Sequence, residues 1–180
     1  SDIIHNDKTW FLNENDNKNN KIVFDNSFKK IKFDSIVLNH NDELIAFTGA
    51  TNDSTFKNLK VRFKDVNIGN LIPKVDSLKL NGNINGDLSI LQKKGIYFPS
   101  SNIIIDSINV NDIEMGDLTI DILGNKNLTR YDINTSLVNN NIKSLNSTGY
   151  IETKSTQTDI QLNIELKEFN LGAISPFGAS

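Results

Sequence analysis

The chain has 180 residues, 37% of them hydrophobic, with a formal net charge of -3 and no cysteine. The missing cysteines exclude a disulfide framework and a thiolate metal site, and without a basic stripe there is no electrostatic footprint for nucleic acid. The apolar fraction falls below the roughly 45–50% of ordinary globular chains, a range that also counts glycine, so the chain suits a single curved sheet or a solenoid with little interior.

Taken from the start, the first third gathers the aromatic residues Trp10, Phe11, Phe24, Phe33 and Phe47. They are expected in a core or facing lipid. Residues 13–20 (NENDNKNN) look superficially like a calcium loop but lack its glycine and distal glutamate, so a hairpin loop of turn formers is expected. Strand candidates follow at 22–24, 31–38 and 44–47, with Asn39-His40-Asn41-Asp42 as a turn. Leu59, Val61 and Phe63 then alternate with Lys60, Arg62 and Lys64. Such strict alternation marks a strand with one apolar and one polar face, and it favours antiparallel pairing.

In the centre, Leu80, Gly82, Ile84, Gly86, Leu88 and Ile90 share one parity. Glycines on an apolar face leave room for a bend or for another backbone, so this segment is expected to be one strongly curved strand or two strands meeting at a corner. Further candidates lie at 103–110, 131–137, 142–145 and 149–153, separated by Asn111-Asp112, by 124–127 and by 139–141. Leu118, Ile120 and Ile122 alternate with Thr119 and Asp121, and Ile160, Leu162, Ile164 and Leu166 alternate with Gln161, Asn163 and Glu165. No stretch of ten residues carries a helical stripe, and the apolar runs are far shorter than the roughly 20 residues of a membrane-spanning helix. The opening residues do not form a signal peptide.

The strongest signal is an internal repeat. Residues 59–73 (LKVRFKDVNIGNLIP) lie over 162–176 (LNIELKEFNLGAISP) at a constant offset of 103, matching Asn67, Gly69 and Pro73 to Asn170, Gly172 and Pro176. Upstream, Asn39, Asn41, Thr48 and Gly49 fall on Asn139, Asn141, Thr148 and Gly149 at an offset of 100. Each unit reads strand, Asn turn, strand, Gly, strand, then a short turn, with Asn67 able to cap one helical turn. The units are expected over 1–76 and 77–180 as one continuous β structure. The second stops soon after the point matching the end of the first, as in an excerpt from a longer array.

Catalytic chemistry finds no foothold. His5 and His40 are the only histidines and read as isolated loop residues rather than a metal site. The sequence suggests neither a Ser-His-Asp nor a Cys-His arrangement, and its glycines lack phosphate-loop spacing. The acidic residues fall mainly on the polar parity, so no enzyme activity and no cofactor is expected.

The paired LxVxFxxxNIGxLIP and LxIxLxxFNLGxISPFG segments, LKLNGNINGDLSI, Trp10-Phe11, the segment from Met115 to Ile120 and Thr148-Gly149-Tyr150 together resemble the Bacteroidetes-type TamB family of AsmA-like proteins. That resemblance implies an elongated, groove-like antiparallel sheet (a β-taco) in the periplasm. The parent chain would be anchored in the inner membrane outside this segment and would engage an Omp85-type outer-membrane barrel. The groove would carry phospholipid acyl chains in support of outer-membrane assembly. Leu59, Val61, Phe63, Leu80, Ile84, Leu88, Leu118, Ile120, Ile122, Ile160, Leu162, Ile164 and Leu166 are the expected groove residues. Alternation alone favours the closed core of a sandwich, since most one-sided sheets pack on something, and it is the resemblance that favours an open groove. Two alternatives therefore stand beside the conduit: a scaffold whose sheet edges pair with client strands, and a closed-core adhesin or stalk repeat.

Overall fold

The computed structural model describes residues 2–12, 21–53, 56–72, 78–93, 96–127, 129–154, 157–170 and 172, with the side chains of 93, 96–99, 153 and 154 excepted. In chain order the elements are β1 (Asp2–His5), β2 (Lys8–Leu12), β3 (Lys21–Phe24), β4 (Lys30–His40), β5 (Glu43–Asn52), β6 (Phe56–Asn67), α1 (Ile68–Leu71), β7 (Leu80–Lys93), β8 (Ile96–Val110), β9 (Ile113–Gly124), β10 (Arg130–Asn139), β11 (Ile142–Lys154) and β12 (Gln157–Leu166). They form one open antiparallel sheet of twelve strands. From β4 to β12 the order in space is the order in sequence, while β2 and β3 share the far side of β4, β2 against Leu38 and Asn39 and β3 against residues 31–34. The all-β, antiparallel, curved sheet expected from alternation is the fold.

The hairpins close where Asn and Asp accept positive φ. Asn6-Asp7, Asn111-Asp112 and Asn140-Asn141 each place two successive residues there, at 49° and 60°, 52° and 65°, and 49° and 64°. That is the primed turn whose twist matches the flanking strands. At the next turn along, the Asn125 side-chain oxygen accepts from the backbone N–H groups of Thr129 and Arg130 at 2.9 and 3.3 Å.

Several sequence boundaries need correction. Gly49 and Gly149 do not separate strands but lie inside β5 and β11, so 142–145 and 149–153 are one strand. The two candidates around Gly82 also merge, into β7, which leaves one curved strand rather than a corner. β1 was not expected. The histidines are strand residues, not free loop residues: His5 Nε2 meets Leu71 O at 2.9 Å, and His40 Nδ1 meets Thr9 O at 2.8 Å beside the Trp10 ring. The loop at 13–20, the unit boundary at 76/77, Pro73 and Pro176 lie outside the described residues.

Bulges interrupt the sheet in the middle of β4 and near the ends of β6 and β8. Ser35, Asp65 and Ser107 adopt φ of 50°, 52° and 52°, and the register slips there between Phe33 and Ile36, Phe63 and Val66, and Ile105 and Ile108. An extra residue in one strand raises the local twist and bends it. The N–H of Asp65 donates to Asn85 Oδ1 and that of Ser107 to Asp117 Oδ1, both at 2.9 Å, so side chains of the adjoining strand satisfy the donors the bulge frees. Trp10, Ile45, Val66, Ile84, Ile103 and Ile105 form the principal core, with Ile68 and Leu71 of α1 packed on it. Asn67 caps α1 through a 2.8 Å bond from Gly69 N–H, as its sequence position suggested. A smaller cluster joins Met115 and Leu137 to Phe169.

The sequence repeat is also a structural repeat. Gly49 faces Leu59, Phe47 faces Val61 and Ile45 faces Phe63 across β5 and β6, while Gly149 faces Leu162, Ser147 faces Ile164 and Leu145 faces Leu166 across β11 and β12. A Cβ on Gly49 would stand 2.9 Å from Leu59 Cα, and one on Gly149 would stand 2.8 Å from Leu162 Cα. Asp65 and Glu168 share a left-handed φ of 52° and 54°. Asn67 and Asn170 make the same bond, to Gly69 and Gly172.

Candidate functional site

Residues directly opposite in an antiparallel pair point to the same face, so the register traces continuous rows. One row runs Phe47, Val61, Leu88, Ser101, Ile122, Ile133, Gly149, Leu162. The next runs Ile45, Phe63, Gly86, Ile103, Ile120, Thr135, Ser147, Ile164. A third runs Ile84, Ile105, Leu118, Leu137, Leu145, Leu166. Leu59 faces Gly49 and Ile90, Ile160 faces Ile151, and Leu80 follows by alternation from Ile84 to face Val110. Every groove residue named from the sequence therefore lies on one face. None of the residues in these three rows is charged, so they offer no group for acid–base chemistry.

This face is part core and part open: Ile45, Ile103, Ile105 and Leu137 are buried at 4–9% exposure. Ile84 is buried at 9% exposure, but Leu88, Leu162, Ile164 and Ile160 are 39, 44, 59 and 63% exposed, and Leu59, Val61, Phe63, Leu118, Ile120 and Ile122 are half-buried. Among the described residues no second sheet lies over it. At the β3 end a cavity of about 330 Å³ is lined by Ile22, Phe33, Ile36, Phe47, Leu59 and Val61, with Thr48 and Lys60. Of the aromatic residues, Trp10 is core at 3% exposure, Phe33 and Phe47 line this cavity, and Phe11 and Phe24 are exposed.

The opposite face is polar and laced across strands. Asp87 takes Arg62 Nε and Lys60 Nζ, each at 2.9 Å. Asn102 donates to Asp121 and Asn85 to Asp106, and Ser89 meets Ser100. The Arg62 guanidinium bonded to Asp87, with Lys60 beside it, holds the Asp87 carboxyl below the usual carboxylate range against a small opposing effect of burial. Arg130 stacks over the Tyr150 ring at 3.8 Å and bonds Asp132. Apolar residues occur on this face too: Val37 and Ala46 lie in line with Arg62, Leu44 faces Lys64, and Ile104 and Leu123 are 38 and 62% exposed.

Sequence reasoning did not place Ile36, Ile45, Ile103, Ile105, Ile133, Leu137 and Leu145 on the apolar face. The run Ile103-Ile104-Ile105 conceals its own parity, and the bulge at Ser35 puts Phe33 and Ile36 on one face at odd spacing. Among the described residues there is no cluster of three or more His, Asp or Glu side chains able to hold a metal, and no helix long and apolar enough to cross a membrane. No family model, curated protein or solved structure matches the chain.

Proposed function

We propose that the uncovered apolar face is a trough for phospholipid acyl chains, with headgroups left in water at its rim. The observation that carries this reading is the continuous uncharged surface from β4 to β12, apolar but for Ser101, Thr135 and Ser147 in its three central rows and open at Leu88, Ile160, Leu162 and Ile164. An exposed apolar surface of this extent on a soluble domain marks a binding site. Eight strand spacings of about 4.8 Å make it about 38 Å long, more than twice the roughly 15 Å spanned by one leaflet of a bilayer's hydrocarbon. A methylene gains about 0.8 kcal/mol when fully removed from water and about half that when one side stays open. Holding a chain therefore needs no particular residue, only continuity, and the next chain position along the rows costs little to reach.

The setting implied by the TamB-like sequence motifs belongs to the same proposal: a periplasmic segment of a bridge that passes phospholipid toward the outer membrane, with an Omp85-type barrel engaged elsewhere in the parent chain. The trough is tested by extracting lipid from the chain purified out of cells without detergent and weighing it by mass spectrometry. Phospholipid at near-stoichiometric amounts is expected, and its loss in a Phe63→Asp/Ile120→Asp double variant that still folds. A folded wild-type chain that carries no lipid would overturn the reading.

A further inference from the structure

The turns of the sheet sort into two ends of opposite charge. Those that follow β3, β5, β7, β9 and β11 lie at one end of the strands, and those that follow β1, β4, β8 and β10 lie at the other, together with α1. The first end is basic. Lys30 opens β4, Lys57 stands second in β6, Lys93 ends β7, Lys126 lies in the turn after β9, Arg130 opens β10 and Lys154 ends β11. Arg130 faces Glu152 and bonds Asp132 at 3.0 Å, but Lys57 and Lys126 make no ion pair among the described residues. Asp53 and Asp25 are the acidic residues of the turns here, and the Asp25 carboxylate is taken up by Ser27 Oγ and by the N–H groups of Lys29 and Lys30. The second end carries Asp7, Asp42, Glu43, Asp112 and Glu114 against Lys8, Lys79 and Lys143, and Lys79 is bonded to Asp112 at 3.5 Å.

The basic end is built alike in both copies of the repeat. Asp25 Oδ1 accepts from Lys29 and Lys30 N–H at 2.8 and 3.1 Å, and Asn125 Oδ1 accepts from Thr129 and Arg130 N–H at 2.9 and 3.3 Å. Asp25 N–H donates to Lys30 O, as Asn125 N–H does to Arg130 O. Each clamp thus sets a cation at the first residue of the strand that follows. The apolar face opens toward this same end. Along β7, which has a strand on either side, Ile90 and Leu88 are 40 and 39% exposed and Ile84 only 9%. Along β8, Ile103 and Ile105 are 9 and 4% exposed, in the core that Trp10 and α1 residues Ile68 and Leu71 close.

We infer that the basic end is the headgroup rim of the trough: a phospholipid lies across the strands, its phosphate among the cations of this end and its acyl chains pointing toward α1. The inference rests on the trough reading and adds to it a direction and a headgroup charge. From Ile90 to Ile84 the face is about 20 Å deep, enough for the roughly 15 Å of one leaflet's hydrocarbon. Successive hairpins of the rim are two strand spacings, about 10 Å, apart, so a phosphate between two of them meets cations from both. Lys57 shares the face of Leu59, where a lysine stem covers apolar surface while its ammonium stays in water. Lysine binds phosphate as a point charge without a fixed fork, so a headgroup can pass from one hairpin to the next. The acidic end would repel it.

The test incubates the whole chain with vesicles of dioleoyl phosphatidylglycerol or with a dispersion of dioleoylglycerol, which has the same acyl chains and no phosphate. The chain is then re-isolated and its lipid quantified by mass spectrometry. A Lys30→Glu/Lys57→Glu/Lys126→Glu chain is expected to take up at least about tenfold less phosphatidylglycerol and as much dioleoylglycerol as wild type. High salt should act with the same selectivity, and Asp42→Lys/Glu114→Lys at the other end should lose nothing. If the triple variant misfolds, the same three lysines changed to Gln should show the selective loss in weaker form. A phosphatidylglycerol with a photoreactive headgroup should label the chain at Lys57 and Lys126 and not at Asp42 or Glu114. No loss of phosphatidylglycerol, equal loss of both lipids in a folded variant, or labelling at the acidic end overturns the rim assignment and leaves the trough in place. Uptake of neither lipid by the wild-type chain overturns the trough and the rim with it.

Discussion

Replacing Gly86 by alanine tests the close strand contacts that curve the sheet. Gly86 has a φ of 126° and lies in β7 between Phe63 of β6 and Ile103 of β8. A Cβ there would overlap Asn102 O and stand 3.1 Å from Ile103 Cα. Two costs follow. An L side chain in that region of φ is strained by about 1–3 kcal/mol, and forcing the strands apart adds the roughly 1–3 kcal/mol of an overpacked site. The lower entropy of an unfolded alanine returns about 0.4–1 kcal/mol. The net loss is about 1–5 kcal/mol, or a fall of about 3–15 °C in the thermal midpoint at this chain length, read by far-ultraviolet circular dichroism. Gly149→Ala makes a similar overlap with Gln161 O, but its φ lies outside the left-handed region and, among the described residues, β12 has a neighbour on one side only. It should therefore cost distinctly less. A Gly86→Ala chain within 0.5 kcal/mol of wild type, or a reversed ranking, would refute the close approach on which the curvature rests.

Val66 is fully buried and Ile164 is 59% exposed. Val66→Ala should cost about 2–3 kcal/mol through lost transfer energy and a cavity, whereas Ile164→Ala should stay within about 1 kcal/mol of wild type by chemical denaturation. Asn67→Ala removes the cap of α1 and should cost about 0.5–2 kcal/mol in the same assay. The depressed Asp87 carboxyl contributes stability that is present above the unfolded value near pH 4 and lost as pH falls through the lower folded value. Asp87→Asn should thus be less stable than wild type at neutral pH, by under about 1 kcal/mol because the pair is partly exposed. The gap should close below about pH 4 and shrink in high salt. Thermal scans across pH read both trends.

Period-two alternation was sufficient for β6, β9 and β12, because their outer residues are charged or amide-bearing and their inner ones branched or aromatic. The repeat made their common face legible as well, since identical offsets at Asn, Gly and the strand residues carry the same pairing from one unit to the next. Bulges were not legible. Asp65 breaks the alternation, falling on the parity of Leu59, Val61 and Phe63, and its left-handed backbone moves Val66 onto the face of Phe63 and into the core. A polar residue on the apolar parity reads the same whether it marks a bulge or the end of the strand. Gly49 and Gly149 were read as ends of strands because glycine usually interrupts them. Here they admit a neighbouring backbone and the strand continues. Trp10 could equally have faced lipid, and only the ring of His40 and the packing of Ile45 and Val66 make it core.

The most direct measurement of the central claim is site-specific photocrosslinking to a phospholipid bearing a radiolabelled acyl chain. The photoreactive residue is placed in turn at Val61, Ile120 and Ile164 on the apolar face and at Arg62, Thr119 and Asn163 on the polar one. Capture of lipid at all three apolar positions and at none of the polar ones is expected, with Val61 and Ile164 marking two distant points of one trough. Equal capture on both faces, or none at the apolar positions in a folded chain, would contradict it.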